Sequence, residues 1–210
     1  MKGDMKKKVK NIYENIKKQL IDKGYQKEIG WCANIPPLDK LDKMYFFNEY
    51  CWVVINTGMK NQVAEKIFNN FWGDYLGTGT FNFEAIKHPQ KHLAIKKIYD
   101  RLDFYFDQLK KSKNKLLFLK SLPFIGDITK YHLARNLGLD YAKPDRHLVR
   151  ISNLFEYDNV QTFCKEVADI SGDKIGVVDI VFWRFATLTD QYLELIKREG
   201  LCDEEIKKDT

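Results

Sequence analysis

The segment Leu122-Pro123-Phe124-Ile125-Gly126 stands upstream of Lys143-Pro144-Asp145-Arg146-His147-Leu148-Val149-Arg150-Ile151. Pro123 cannot continue a helix, and Gly126 permits close backbone approach, so the first segment reads as a tight turn between helices. In such a hairpin the unpaired N–H groups at the start of the second helix point outward and can bind a phosphate without reading sequence. Asp145 opens a run with Leu148, Ile151 and Leu154 on one face. A carboxylate at that place can stabilise a developing positive charge, or orient and deprotonate a water. Both features also have bland readings. The pentapeptide is compatible with an ordinary αα-turn, and Asp is a favoured helix N-cap.

The elements that must position these groups are helical. Five Pro and twelve Gly leave room for long helices. Residues 6–22 carry Val9, Ile12, Ile16 and Leu20 at helical spacing, with Gly24 as a stop. Residues 24–43 read as irregular, with Pro36-Pro37 marking a loop that carries Trp31. The apolar run Tyr45–Ile55 is long for a strand and reads as a buried helix. Gly58-Met59-Lys60-Asn61-Gln62 interrupts it, and a second helix runs from Val63 to Trp72. Gly73–Thr80, with three Gly, reads as a loop. Helical patterns return at 82–87, 90–111 and 114–121. After the hairpin come a helix from Asp127 to Leu137 closed by Gly138, one opening at Asp145, one over 159–171 and one over 176–199. The tail after Cys202 reads as frayed. No repeat is seen and no stretch needs a sheet, so the expected fold class is all-α.

Composition bounds the partners. Hydrophobic residues make up 44% of the 210, enough to bury a core. The formal charge is +6, which favours a polyanionic partner. The richness in Lys, Asn and Ile is also what an AT-rich genome produces, so the charge counts for less. Cys32, Cys51, Cys164 and Cys202 form no Cys-x-x-Cys pair and fit no zinc or iron–sulfur spacing; they read as isolated thiols in a reducing compartment. No apolar run approaches the length of a membrane helix, and no signal core is seen.

The hairpin and the Asp145 segment together resemble the helix-hairpin-helix DNA glycosylases, the superfamily that includes endonuclease III and the alkyladenine glycosylases. Asp145-Arg146-His147-Leu148-Val149-Arg150-Ile151 is similar to that superfamily's Asp-x-His-apolar-x-Arg-apolar pattern, and Lys143-Pro144 is similar to the Leu-Pro-Asp of the alkyladenine branch. The resemblance is specific over 120–151 and looser over 44–72. It implies two helical lobes flanking a DNA-binding cleft: one of about 44–138, holding the hairpin at 118–137, the other of about 1–43 plus 139–210. Asp145 would be the catalytic carboxylate, facing the hairpin and stabilising oxocarbenium character as the N-glycosidic bond breaks. The target base would first be flipped from the stack.

By the same resemblance the DNA-binding residues would be Leu122, Pro123, Phe124, Ile125, Gly126, Ile128, Thr129, Lys130 and Arg150. The turn at 58–62 would supply the wedge from Met59, Asn61 or Gln62, although a plain polar turn fits those residues equally. Trp31 and Tyr50 are the candidates for a base pocket, whereas most neighbouring aromatics read as core. His147 reads as a structural residue bonding to backbone. Asp179 and Arg184 lie in a very apolar helix, either paired with each other or lining the cleft. The chain departs from the superfamily in two places. Phe124 stands where Gly is usual and cannot adopt positive φ cheaply. Asp127 stands where a small, polar or basic residue is common, placing negative charge near the phosphate, with Lys120 and Lys130 to compensate.

Superfamily members that also nick the strand carry a Lys where this chain has Ile128. The expectation is therefore a monofunctional glycosylase that leaves an abasic site; Lys130 lies two residues on, and i and i+2 face different sides of a helix, which counts against its replacing the missing amine. No cofactor and no metal are expected. The partner would be double-stranded DNA, bound by an intracellular, cytoplasmic, nucleoid-associated monomer without membrane contact. Alkylated purines, oxidised purines, deaminated pyrimidines and the bulky modified pyrimidines of phage DNA all stay open as substrates, the last as anti-phage defence. Two other classes remain: a non-catalytic DNA-binding module, insensitive to loss of Asp145, and a helical protein-interaction domain, which would show no salt-sensitive DNA binding.

Overall fold

A computed structural model describes residues 3–199, and every regular element among them is helical. Cys202 and the tail beyond it lie outside the described residues. Contacts divide the chain into two units, Met1–Ile35 with Asp140–Thr210 and Pro36–Leu139.

The first unit contains α1 (Gly3–Leu20), α2 (Gln26–Asn34), and then α9 to α12 from the far part of the chain: α9 (Arg146–Leu154), α10 (Val160–Ser171), α11 (Ile175–Leu188) and α12 (Tyr192–Glu199). Its centre is α11, which packs against α1, α2, α9, α10 and α12. The sequence dictates this, because a helix apolar on nearly every side must be covered on nearly every side. Val177, Val178, Ile180, Val181, Phe182 and Phe185 are all buried. The second unit repeats the plan around α3 (Lys43–Asn56), with α4 (Asn61–Thr78), α5 (Pro89–Tyr99), α6 (Leu102–Lys111), α7 (Lys115–Ser121) and α8 (Thr129–Asn136). There α3 packs against α4, α5, α6 and α8.

Several boundaries differ from the sequence reading, each for a local reason. Residues 24–43 are not all irregular: α2 buries Ile29 and Cys32 against α11, so Trp31 lies on a helix and not in the proline loop. Gly73–Thr80 is not a loop, because α4 continues to Thr78 and stops at Gly79 with φ +74°. Aromatic packing carries the helix past its glycines: Tyr75 stacks on Phe81 with centroids 4.2 Å apart, and Phe71 with centroids 4.8 Å apart. The 82–87 pattern yields only a 3-10 turn at Phe83–Ala85. The runs 90–111 and 176–199 are each broken in two, at Arg101 (φ −134°, ψ 36°) and at extended Thr189. The helix after the hairpin starts at Thr129, so Asp127 does not cap it.

Cys32, Cys51 and Cys164 are buried. Desolvation pushes the pKa values of Cys51 and Cys164 up, which makes them inert packing residues. Among the described residues no helix is long and apolar enough to cross a membrane, and no group of His, Cys, Asp or Glu is placed to hold a metal ion.

One buried acid lies in the second unit. Glu49 of α3 accepts a hydrogen bond from Asn136 Nδ2 of α8 at 2.8 Å. Burial pushes its pKa up to about 7, against the opposing pull of that hydrogen bond and of Arg135. A carboxyl raised in the folded state binds its proton more tightly there than in the unfolded chain. Its stabilising effect is complete below the ordinary carboxylate range and is lost as pH rises through about 7. Urea unfolding of the wild type should therefore show stability falling by on the order of 3 kcal/mol between pH 4.5 and 8.5, with a clearly shallower fall in Glu49→Gln. Parallel profiles for the two proteins would refute the assignment.

Candidate functional site

The hairpin of the second unit is built by α7, the turn Leu122–Ile128 and α8. Leu122 and Ile125 are buried and anchor the turn, and Ile125 N–H donates to Leu122 O at 3.1 Å. Their contribution to any ligand is thus through the backbone. Lys130 N–H returns to Gly126 O at 3.1 Å, which closes the first turn of α8. Gly126 N–H is taken by Thr129 Oγ1 at 2.8 Å, so it is not among the groups available to a phosphate. The N–H groups of Asp127, Ile128 and Thr129 have no acceptor among the described residues. Those three are the open donors at the start of α8, the kind of group an anion could take. Asp127 does not spoil it. Lys120 at 2.7 Å and Lys130 at 3.0 Å pair with its carboxylate, and their ammonium groups hold its pKa below the usual range.

The positive φ expected of a glycine is found at Phe124, where φ is +62°. A non-glycine residue in that region carries a cost of about 1–3 kcal/mol, so the surroundings must enforce it. They are visible. The Phe124 ring meets His88 edge-on with centroids 5.8 Å apart, and Lys91 Nζ lies 5.7 Å from its centroid. Beside it, Tyr50 Oη donates to Pro123 O at 2.7 Å. Tyr50 is therefore no base-pocket residue. It is fully buried in α3, and its hydroxyl braces the hairpin.

Lys91 does not stand out in the sequence. It is 3% exposed, yet its ammonium donates to Ile55 O at 2.8 Å and Thr57 O at 2.6 Å, at the end of α3. Burial lowers its pKa. The turn that follows α3 is tight: Met59 N–H donates to Asn56 O, and Asn56 Nδ2 to Asn61 Oδ1 at 3.0 Å. Met59 sits in this turn partly exposed, while Asn61 and Gln62 fall in the first turn of α4 and are exposed.

In the first unit, Asp145 is the N-cap of α9. Its Oδ1 accepts from His147 N–H at 2.9 Å and Leu148 N–H at 3.1 Å. Oδ2 has no hydrogen bond among the described residues, and the side chain is partly exposed. The cap reading and the catalytic reading are thus compatible: one oxygen fixes the carboxylate and the other remains open. The preceding strap is clamped three times. Asp140 Oδ1 accepts from Gly176 N–H at 3.1 Å. The Gln161 amide bonds both Ala142 N–H and Ala142 O. Asp179, 1% exposed, accepts from Lys143 N–H at 2.7 Å. Arg184 is not its partner; it forms a bidentate pair with Glu28 at 2.7 Å and 2.7 Å.

His147 does not bond to backbone through its ring. Nε2 accepts from Arg146 Nε at 3.3 Å, which leaves the proton on a buried Nδ1 without a partner among the described residues. Burial lowers its pKa, followed by the opposing influence of Asp145. The neutral ring packs edge-on against Tyr192, with centroids 5.3 Å apart. Arg150 is exposed on α9, and Trp31, 40% exposed, lies on α2. Gln161 and Asp140 were missed because nothing in their local sequence distinguishes them; their partners lie 19 and 36 residues away.

No family model matches the chain, and no curated protein does. A solved structure is similar: that of the Methanocaldococcus jannaschii 8-oxoguanine glycosylase/lyase in complex with a 15mer DNA containing 8-oxoguanine. The TM-score is 0.63 at 16% identity, over 86% of this chain and 98% of that one. The likeness shows the fold, which is the all-α architecture expected from the helical periodicity of the sequence.

Proposed function

We propose that this chain is a DNA glycosylase that hydrolyses the N-glycosidic bond of a flipped, modified base and leaves an abasic site without cutting the strand. The observation that carries the reading is Asp145, a capped carboxylate with one free oxygen on a clamped strap. An ionised group fixed in this way needs no reorganisation to face the positive charge that develops on deoxyribose as the base departs. The hairpin supports the DNA half of the reading, since Phe124 adopts the glycine-like backbone and Lys120 and Lys130 offset Asp127.

The placement of the amines supports a reading without lyase chemistry. Ile128, 49% exposed, occupies the place of the lysine that would form a Schiff base with the sugar. Lys130 is drawn back to Asp127 and lies over the Tyr131 ring, 5.2 Å from its centroid. Lys91 is buried against backbone carbonyls.

The test is a panel of duplexes, each with one alkylated, oxidised, deaminated or bulky modified base, phage DNA included. Strand breaks are expected only after alkali, and borohydride should trap no covalent protein–DNA adduct. Breaks without alkali, or a trapped adduct, would overturn the monofunctional reading. Salt-sensitive binding with no base released from any duplex would replace it with a DNA-binding module.

A further inference from the structure

We infer that Lys91 is a positioning residue that couples the hairpin to the turn after α3, so that phosphate holding and entry into the duplex act as one device. The inference rests on the glycosylase reading. A buried ammonium is costly unless its N–H groups are directed at acceptors, and an apolar chain of similar volume would fill the same space. The charge is therefore kept for what it contacts. On one side these are Ile55 O and Thr57 O, the carbonyls through which α3 passes into the turn that carries Met59. That end of the helix is also the negative end of its dipole. On the other side the ammonium faces the Phe124 ring.

The two sides are linked by geometry. Phe124 holds φ +62° without being glycine, and its ring is held by Lys91 and His88. The turn is stiff within itself, through Met59 N–H to Asn56 O and Asn56 to Asn61. A shift of Lys91 therefore moves the whole turn, and a shift of the hairpin tip moves Lys91. A glycine at 124 would form the same hairpin without this link.

Two probes separate coupling from folding: a duplex with one tetrahydrofuran abasic-site analogue, and the matched intact duplex. Intact-duplex affinity reads the hairpin, and the preference for the abasic analogue reads the turn. Phe124→Gly keeps a hairpin that glycine adopts at ease, and the preference is taken as the ratio of the two affinities, so any change in intact-duplex affinity divides out. Preference for the abasic analogue should fall roughly threefold to tenfold. Lys91→Met should show the same fall, and the double variant no more than the larger single effect, because both remove one coupling. If the wild type prefers the analogue and Phe124→Gly matches it, or if the two losses add, the coupling is refuted while the glycosylase reading stands. A wild type with no preference for the analogue would sink both. Should Lys91→Met fail to fold, Phe124→Gly alone decides.

Discussion

On the proposed reading, Asp145→Asn is expected to lose base release by roughly 10²–10³-fold or more while still binding DNA, because it removes the fixed charge that would face the transition state. The substitution suits the test. Asn is as good an N-cap as Asp, so the bonds from His147 and Leu148 N–H are retained and α9 keeps its start. Only the charge and the ability to take a proton are lost. Single-turnover release on the duplex identified by the panel reads the effect directly. Retained activity in a folded Asp145→Asn protein would mean that the carboxylate is a cap and nothing more, and would assign the chemistry elsewhere.

The second large effect is expected one step back, at Asp179. Asp179→Ala leaves the part-buried Lys143 N–H without its 2.7 Å acceptor and frees the strap two residues before Asp145. An unsatisfied buried donor costs about 1–3 kcal/mol of stability. Loss of placement is expected to lower the rate of base release by roughly 10–10²-fold, since small misplacements of a catalytic group have effects of that size. Asp179→Asn keeps an acceptor and should recover most of the rate. A role confined to stability predicts otherwise: Asp179→Ala would then lose melting temperature but release base normally at low temperature. The pair of variants, assayed well below their unfolding transitions, separates the two.

The catalytic candidate was legible and its support was not, for a physical reason. Asp145 announces itself because Pro144, the apolar face of Leu148, Ile151 and Leu154, and the hairpin upstream are all local patterns. Asp179 stood out only as a charge in an apolar helix. Its partner, the Lys143 backbone N–H, is 36 residues away and has no side-chain signature. Lys91 was invisible for the same reason, since its acceptors are main-chain carbonyls. Tyr50 shows the converse failure. An aromatic in an apolar run can stack on a base or fill a core, and only burial decides. The all-α architecture followed from periodicity, but Gly73, Gly77 and Gly79 misled because composition counts glycines while packing of Phe71, Trp72 and Tyr75 decides whether a helix survives them. At Phe124 the strain that sterics lead one to expect exists, and the ring's neighbours hold it.

The way the chain is divided also sets an order of events during synthesis. The unit Pro36–Leu139 is continuous, whereas the other draws on Met1–Ile35 and Asp140–Thr210. The ribosome therefore delivers the continuous unit whole while α1 and α2 still lack α11, the helix their apolar faces pack against. Domains fold as their residues emerge, so the unit that carries the hairpin should be protease-resistant in nascent chains that end near residue 170. In those same chains α1, with Val9, Ile12, Ile16 and Leu20 uncovered, should be the segment that recruits chaperones.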